Sequence, residues 1–156
     1  MNRGAFSLVE TTLALGVAAI SLLAIFALLP VGVKTNQIAI EQTASTDILS
    51  VVAADLRATP VTTPRGGATA SPRLAIGIPA NPVRTSMTTT LFFTTEGQFS
   101  TTLTTNSRYR LTITFLPNGP GARTATFLDL KATWPAAAAI ANAGGAAEIF
   151  LALDRN

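Results

Sequence analysis

Apolar residues dominate the first part of the chain and form one long uninterrupted run. No residue from Leu13 to Val33 is charged. At 1.5 Å per residue, a helix of about 21 residues spans the roughly 30 Å hydrocarbon core of a bilayer. The pattern therefore predicts a helix that can cross a membrane.

The helical pattern continues beyond this run in amphipathic form. Apolar or small residues recur three, four or seven positions apart, with charged residues between them. The recurring positions are Ile38, Ser45, Ile48, Leu49, Val52 and Leu56, and the charged ones are Glu41, Asp47, Asp55 and Arg57. Because proline disfavours helical geometry in the preceding residue, Thr59-Pro60 ends the pattern. We expect one helix from Phe6 to about Arg57, whose second half packs against a domain.

Pro30 and Gly32 predict a local disturbance of this helix. Proline removes one backbone hydrogen bond, and glycine has low helix propensity. We expect a kink at Pro30 and Gly32. A stretch that melts on assembly is the alternative.

The rest of the chain changes from loop to strand patterns. The segment 60–86 is rich in Pro, Gly, Ala and Thr with little periodicity, which predicts a surface connecting loop. Short Thr-, Leu-, Ile- and Phe-rich runs then predict antiparallel strands joined by turns at Glu96-Gly97 and within 117–121. The strand candidates are Thr88–Thr94, Phe99–Thr104, Arg108–Leu116, Thr124–Trp134 and Glu148–Leu153. The Ala-rich segment 135–147 is either a helical turn or a loop.

Apolar and polar residues alternate clearly in the two central strand candidates. In one, Tyr109 to Phe115 places apolar side chains at every second position, and in the other Leu128 to Trp134 does the same. One face of each strand therefore suits packing against the helix. We expect the aromatic residues of these strands to belong to the core, with Trp134 anchoring the sheet or its edge.

These elements predict an α+β fold, with a long N-terminal helix packed on a small antiparallel sheet. The predicted divisions are a leader at 1–5, a membrane or assembly half-helix at 6–33, an amphipathic half-helix at 34–59, a connecting loop at 60–86, and a sheet head at 87–156. A chain of 156 residues has room for one such head.

Composition removes most enzyme chemistry. The chain has no Cys and no His, which excludes disulfides, thiol nucleophiles and imidazole bases. The acidic residues are dispersed along the chain, and neither glycine pair has the context of a phosphate loop. The arginines do not cluster with aromatics, which argues against a nucleic-acid partner. We predict no enzymatic activity and no cofactor.

Glu10 is the anomalous residue, because a carboxylate inside a membrane-length helix needs a partner. It closes the segment Gly4-Ala5-Phe6-Ser7-Leu8-Val9-Glu10. This segment resembles the prepilin cleavage motif of type IV pilins and type II secretion pseudopilins. The resemblance implies a pilin-like fold and a minor subunit of the I or V type. The chain is also similar to the pilin-like family called Verru_Chthon cassette protein B.

The resemblance implies specific processing and partners. A prepilin peptidase in the inner membrane would cut between Ala5 and Phe6, and the new Phe6 amine would be methylated. Glu10, then the fifth residue, would pair with the Phe6 amine of a neighbouring pilin during filament assembly. The protein would be a single-pass protein of the bacterial inner membrane, with a cytoplasmic N-terminus and a periplasmic head.

Several alternatives stay open at this point. Cleavage between Gly4 and Ala5 is a second frame, and an uncleaved anchor is a third reading. A non-polymerising, membrane-anchored binding or scaffold domain is the main functional alternative, and a secreted or anchored enzyme is another. A calcium site or carboxylate pair near Glu96, Asp129 or Asp154 is a further alternative.

Overall fold

A long helix precedes all the strands of the structure. The computed structural model describes residues 7–63, 65–118 and 125–154. Helix α1 is Leu8–Arg57. The chain divides into two compact units, residues 1–39 and 40–156. Helix α1 contributes residues to both units.

The first unit consists, within its described residues, of the N-terminal part of α1. All side chains of this part are exposed, including large apolar ones such as Leu23, which is 74% exposed, and Phe26, which is 64% exposed. A helix that is apolar around its whole circumference is typical of a buried or membrane environment. This part of α1 therefore lacks the one-sided burial of an ordinary surface helix.

The second unit is built on a five-stranded antiparallel sheet in the order β4-β3-β5-β6-β7. A separate two-stranded sheet, β1 with β2, lies in the segment between α1 and β3. The strands are β1 (Thr69–Ala70), β2 (Gly77–Ile78), β3 (Met87–Phe93), β4 (Phe99–Ser100), β5 (Tyr109–Phe115), β6 (Thr126–Trp134) and β7 (Gly145–Leu153).

The core forms between the C-terminal part of α1 and one face of the large sheet. Helix residues spaced three or four apart enter it, as the amphipathic pattern predicted. They meet the alternate residues of the strands, which point to one face because side chains alternate along a strand. The helix supplies Ile48, Leu49, Val52, Ala53 and Leu56, and the sheet supplies Leu91, Phe93, Tyr109, Leu111, Ile113, Phe115, Leu128, Leu130, Ala132, Trp134, Leu151 and Leu153.

The segment between α1 and β3 differs from the predicted surface loop. It contains β1 and β2 and contributes Leu74, Ile76, Ile78 and Val83 to the core. These residues are at most 5% exposed. The apolar residues at 74, 76 and 78 alternate as in a strand, which explains how a Pro- and Gly-rich segment still buries side chains.

The remaining differences from the predicted elements concern strand lengths. Strand β4 has only two residues, whereas the prediction extended to Thr104. Strand β7 begins at Gly145, three residues before the predicted start. The segment before β7 contains a 3₁₀ turn at Ile140–Asn142, so the helical-turn alternative is correct there.

Trp134 explains why β7 begins with glycine. The two residues are opposite each other in the β6–β7 register. A Cβ atom on Gly145 would lie 2.2 Å from Cζ2 of the Trp134 indole, well inside van der Waals contact. The indole therefore occupies the space that a side chain at position 145 would need. Trp134 is 3% exposed and anchors the end of the sheet, as predicted.

The expectation that the strand aromatics belong to the core is correct for Tyr109, Phe115 and Trp134 and wrong for Phe127. The first three are at most 3% exposed, whereas Phe127 is 46% exposed. Phe127 alternates with Leu128 and so points to the face of the sheet away from the core.

The predicted fold class is confirmed. The structure is α+β, with a long N-terminal helix packed on antiparallel strands, and is consistent with a pilin-like layout.

Candidate functional site

The exposed part of α1 is the first candidate for function. Within the described ranges, α1 is the one helix long and apolar enough to cross a membrane. Its length and apolar composition match the membrane-length run predicted from the sequence. The coarse prediction of a possible single span therefore agrees with the structure.

Hydroxyl side chains in this part of α1 are satisfied within the helix. The Oγ1 atom of Thr12 donates to the carbonyl of Val9 at 2.9 Å, and Ser21 Oγ donates to the carbonyl of Val17 at 2.8 Å. Thr35 makes the same kind of bond to Val31 at 2.9 Å. Because these hydroxyls already have acceptors, they add little cost to placing the helix in a lipid or protein environment.

Glu10 differs from these hydroxyls. It lies in the first turn of α1 and is exposed. Its carboxylate makes no hydrogen bond or ion pair with any described residue. The helix N-terminus favours a negative charge there, but this effect is small for an exposed group. In an apolar environment the carboxylate would need a cation from outside the described part of this chain.

The predicted cleavage residues Ala5 and Phe6 lie outside the described residues. The cleavage site, the methylated amine and the pairing of that amine with Glu10 therefore stay predictions. Helix α1 begins two positions after Phe6, at Leu8. Thr11 donates its amide to the Ser7 carbonyl at 3.1 Å, which closes the first turn.

Helix α1 is continuous through Pro30 and Gly32. Pro30 cannot donate a hydrogen bond to the carbonyl of Phe26, four residues earlier. A Cβ atom on Gly32 would meet no other atom within 4 Å. The kink expected at Pro30 and Gly32 therefore stays a prediction.

A cleft of about 350 Å³ lies in the head beside α1. Its apolar wall includes Ile48, Phe93 and Tyr109, and its charged lining residues are Asp47, Arg73 and Glu96. Because these side chains carry both negative and positive charges, the lining does not favour one class of charged ligand.

Hydrogen bonds order the turn that carries Glu96. Its carboxylate accepts a 2.6 Å hydrogen bond from Thr95, and hydrogen bonds from Thr95 and Thr94 lower the pKa of Glu96. Among the described residues, no group of three or more acidic side chains is placed to hold a metal ion, and the structure does not bring Glu96, Asp129 and Asp154 together.

Two of the dispersed arginines make specific contacts. Arg108 forms an ion pair with Glu41, which joins α1 to the start of β5. The Arg110 guanidinium lies over the Phe92 ring, 5.8 Å from its centre. Both contacts are local to the head, and they give these arginines a structural use.

The face of the sheet away from the core carries a small charged cluster. Lys131 Nζ lies 3.0 Å from Glu148 Oε2, and the two residues are opposite each other on β6 and β7. Asp129 lies two residues before Lys131 on the same face. Burial and the Glu148 carboxylate raise the pKa of Asp129, while Lys131 opposes this shift. Hydrogen bonding and attraction to Glu148 raise the pKa of Lys131.

Sequence reasoning did not find this cluster, because the pairing of β6 with β7 brings distant positions together. The alternation of Asp129 and Lys131 with apolar residues was the available signal, and it placed both on the outer face. The partner, Glu148, became identifiable only from the register.

Comparisons with known proteins return no relative for this chain. No family model matches it, no curated protein matches it, and no solved structure matches it.

Proposed function

We propose that this protein is a pilin-like subunit of the minor pilin or pseudopilin kind, which the inner membrane holds by the N-terminal part of α1 before assembly. In this proposal a prepilin peptidase removes residues 1–5 and Phe6 becomes the methylated N-terminus. The subunit then enters a filament of a type IV pilus or type II secretion system with other pilins. The head faces the periplasm.

The observation that carries the proposal is the combination of one carboxylate with an otherwise apolar, exposed half-helix. Every side chain of α1 from Leu8 to Val33 is exposed, and Glu10 is the one charged residue among them. A membrane alone would accommodate the apolar side chains. It would not accommodate Glu10 without a partner.

Helix stacking gives both features a use. Neighbouring apolar helices would bury the exposed Leu, Ile and Val side chains against each other. The positive amine at Phe6 of one subunit would then neutralise Glu10 of the next in a low-dielectric environment. An unpaired charge there costs several kcal/mol, so the pair would also fix the stagger between helices.

The head supports the proposal through its connection to α1. The core uses the C-terminal part of α1, where Ile48 to Leu56 supply its buried helix residues and Ala44 packs against them. The head therefore folds on the helix without using the apolar N-terminal part. A subunit built this way keeps its assembly segment available to other subunits.

Substitution of the carboxylate tests the proposal. The Glu10→Gln variant and the matched Glu96→Gln variant, which changes a carboxylate in an exposed turn, are each expressed in the native host. Immunoblots then compare the subunit in sheared filaments with the subunit in the membrane. We expect Glu10→Gln to reduce the filament fraction about tenfold or more, because it leaves the Phe6 amine unpaired. Glu96→Gln should leave this fraction unchanged.

Two results would overturn the proposal. If Glu10→Gln assembles as well as the parent chain, the carboxylate has no part in assembly. If the parent chain stays entirely in the membrane fraction while the other pilins of the host form filaments, the protein is the alternative, a non-polymerising anchored domain.

A further inference from the structure

Strand β7 is at the edge of the large sheet, and within the described residues no strand lies on its outer side. It pairs with β6 along all nine residues, from Thr126 opposite Leu153 to Trp134 opposite Gly145, and this register has no bulge. On its other side, no hydrogen bond from a described residue reaches it. Its outer backbone groups are thus open to another strand.

The opposite edge of the sheet is divided between β4 and the part of β3 that β4 leaves uncovered, Met87–Leu91. Strand β4 has two residues, and it covers only the end of β3. Natural proteins shorten edge strands, or give them lysine, proline or bulges, to prevent pairing with other chains. Strand β7 has none of these devices, and its sequence Gly-Ala-Ala-Glu-Ile-Phe-Leu-Ala-Leu contains one charge.

Exposed aromatic residues lie next to this edge. Phe150 is 73% exposed and Phe127 is 46% exposed. Asp129 is opposite Phe150 and Phe127 is opposite Ala152, so both rings lie on the outer face, two residues apart along the sheet. A strand added to β7 would place its own side chains beside Phe150.

The charges on this face indicate what kind of strand fits. In the cluster beside β7, Asp129 and Glu148 are negative and Lys131 is positive, so the cluster has one negative charge in excess. Arg110 is on the same sheet face, but its guanidinium lies over Phe92 on the other side of β5. Oδ1 of Asp129 is buried without a hydrogen bond from the described residues. A basic side chain opposite Glu148 on an added strand would balance the cluster, since directly opposite charges on a sheet attract.

Within the described residues, a second copy of this chain offers no edge strand of this kind. The edge strands β4 and β7 and the strand β3 contain no Lys or Arg. Pairing β7 with β7 would bring two Glu148 carboxylates to the same sheet face. The charge pattern therefore favours a different protein.

We propose that β7 is a docking edge for a β-strand of another protein, with apolar side chains and a lysine or arginine opposite Glu148. The bound strand would extend the five-stranded sheet by antiparallel or parallel pairing. Backbone hydrogen bonds to β7 would give affinity, and the contact with Glu148 would give specificity. This inference does not depend on filament assembly, because β7 belongs to the head.

Designed peptides test the inference on the full chain in detergent micelles. The probe is a fluorescein-labelled peptide of nine residues in which valine alternates with threonine and the central threonine is replaced by lysine. Matched peptides have threonine or glutamate at the centre, and a further one has N-methylated backbone amides. Fluorescence anisotropy gives the dissociation constants.

We expect the lysine peptide to bind about two- to fivefold more tightly than the threonine peptide, the size of one cross-strand charge pair. The glutamate peptide should bind more weakly still, and the N-methylated peptide should not bind. Glu148→Gln should abolish the preference for lysine. Lys131→Gln should increase it, because removing this cation makes the cluster more acidic. Binding should also protect the β7 amides from hydrogen exchange.

The inference fails if the lysine and glutamate peptides bind equally, or if N-methylation does not weaken binding. It also fails if the chain already pairs with itself through β7. Protection of the β7 amides from hydrogen exchange in the chain without peptide, at high but not at low protein concentration, would reveal that self-pairing.

Discussion

Asp55 at the end of α1 accepts a 2.5 Å hydrogen bond from the hydroxyl of Ser71 in the connecting segment. The same carboxylate accepts hydrogen bonds from the backbone amides of Arg73, at 2.9 Å, and Leu74, at 3.0 Å. Ser71 in turn accepts the amide of Ile76 through its hydroxyl. One helix carboxylate thus organises the turn between β1 and β2 and directs Leu74 and Ile76 into the core.

Removing this carboxylate should destabilise the head. The Asp55→Ala variant leaves three donors without their acceptor in a place where water has little access, because Asp55 is 7% exposed. We expect a loss of about 2 to 4 kcal/mol in the free energy of unfolding. The fluorescence of Trp134, the one tryptophan of the chain, reports unfolding of the head in urea with the full chain in detergent.

Asp47→Ala is the matched control, since Asp47 lies on the same helix and is exposed. It should change the free energy of unfolding by about 0.5 kcal/mol or less. Equal effects of the two substitutions would show that Asp55 does not organise the connecting segment.

Gly145 should not tolerate a side chain. In Gly145→Ala the new methyl group would overlap the Trp134 indole, which must move out of its packed position. We expect a loss of about 1 to 3 kcal/mol, the usual range for overpacking. Gly77→Ala, at a strand position where a Cβ meets no atom within 4 Å, is the control and should cost less. The same urea titration measures both variants, and equal losses would contradict the proposed contact.

Asp129 should make the head less stable as pH rises above the acidic range. Burial, and then the charge of Glu148, raise the pKa of Asp129 above its usual value of 3.8. Between the unfolded-state pKa and the higher folded-state pKa, the folded state holds a proton that the unfolded state has released. The free energy of unfolding therefore falls as pH rises through the range between these two pKa values. Asp129→Asn should remove this contribution, so its advantage over the parent chain should grow with pH.

Glu96 gives the opposite sign and serves as the control. Its pKa is lowered from 4.5, so its contribution is present at higher pH and disappears as pH falls through the lowered value. Glu96→Gln should therefore weaken the acid sensitivity of the head. Urea titrations at several pH values between the acidic and neutral ranges measure both slopes. If Asp129→Asn and Glu96→Gln change the pH dependence of the free energy of unfolding in the same direction, the opposite pKa shifts assigned to these two residues are wrong.

The elements with strong periodicity were predictable from the sequence. The alternation in 109–115 and 128–134 located β5 and β6, and the spacing of Ile48, Leu49, Val52 and Leu56 located the buried face of α1. Both patterns follow from the periods of the strand and the helix, which set the spacing of apolar residues along the sequence. The end of α1 at Arg57 followed from Thr59-Pro60 in the same way.

The features that depend on contacts between distant residues were not predictable. Asp55 appeared as one of the charged positions between the apolar residues of the helix, yet it is buried because its partners come from residues 71–74. In the sequence, Gly145 was only one member of a glycine pair without the context of a phosphate loop, yet the Trp134 indole leaves no room for a side chain there. Glu148 joins Lys131 only through the strand register. In each case tertiary packing determines the role of the residue.

The proposed assembly site, formed by the N-terminal part of α1 and Glu10, was only partly predictable from the sequence. The membrane-length helix and the isolated carboxylate of Glu10 could both be identified from sequence, and the structure describes both. The partner of Glu10 could not be identified from packing, because the contact would form between chains. Ala5 and Phe6 also lie outside the described residues, so chemistry at the N-terminus has to be measured.

The intact mass of the protein extracted from membranes of its native host tests the central claim most directly. The account predicts a chain that begins at Phe6 and carries one additional methyl group, with tandem mass spectrometry placing the methyl on the Phe6 amine. A mass that includes residues 1–5, with no methyl group, would contradict it.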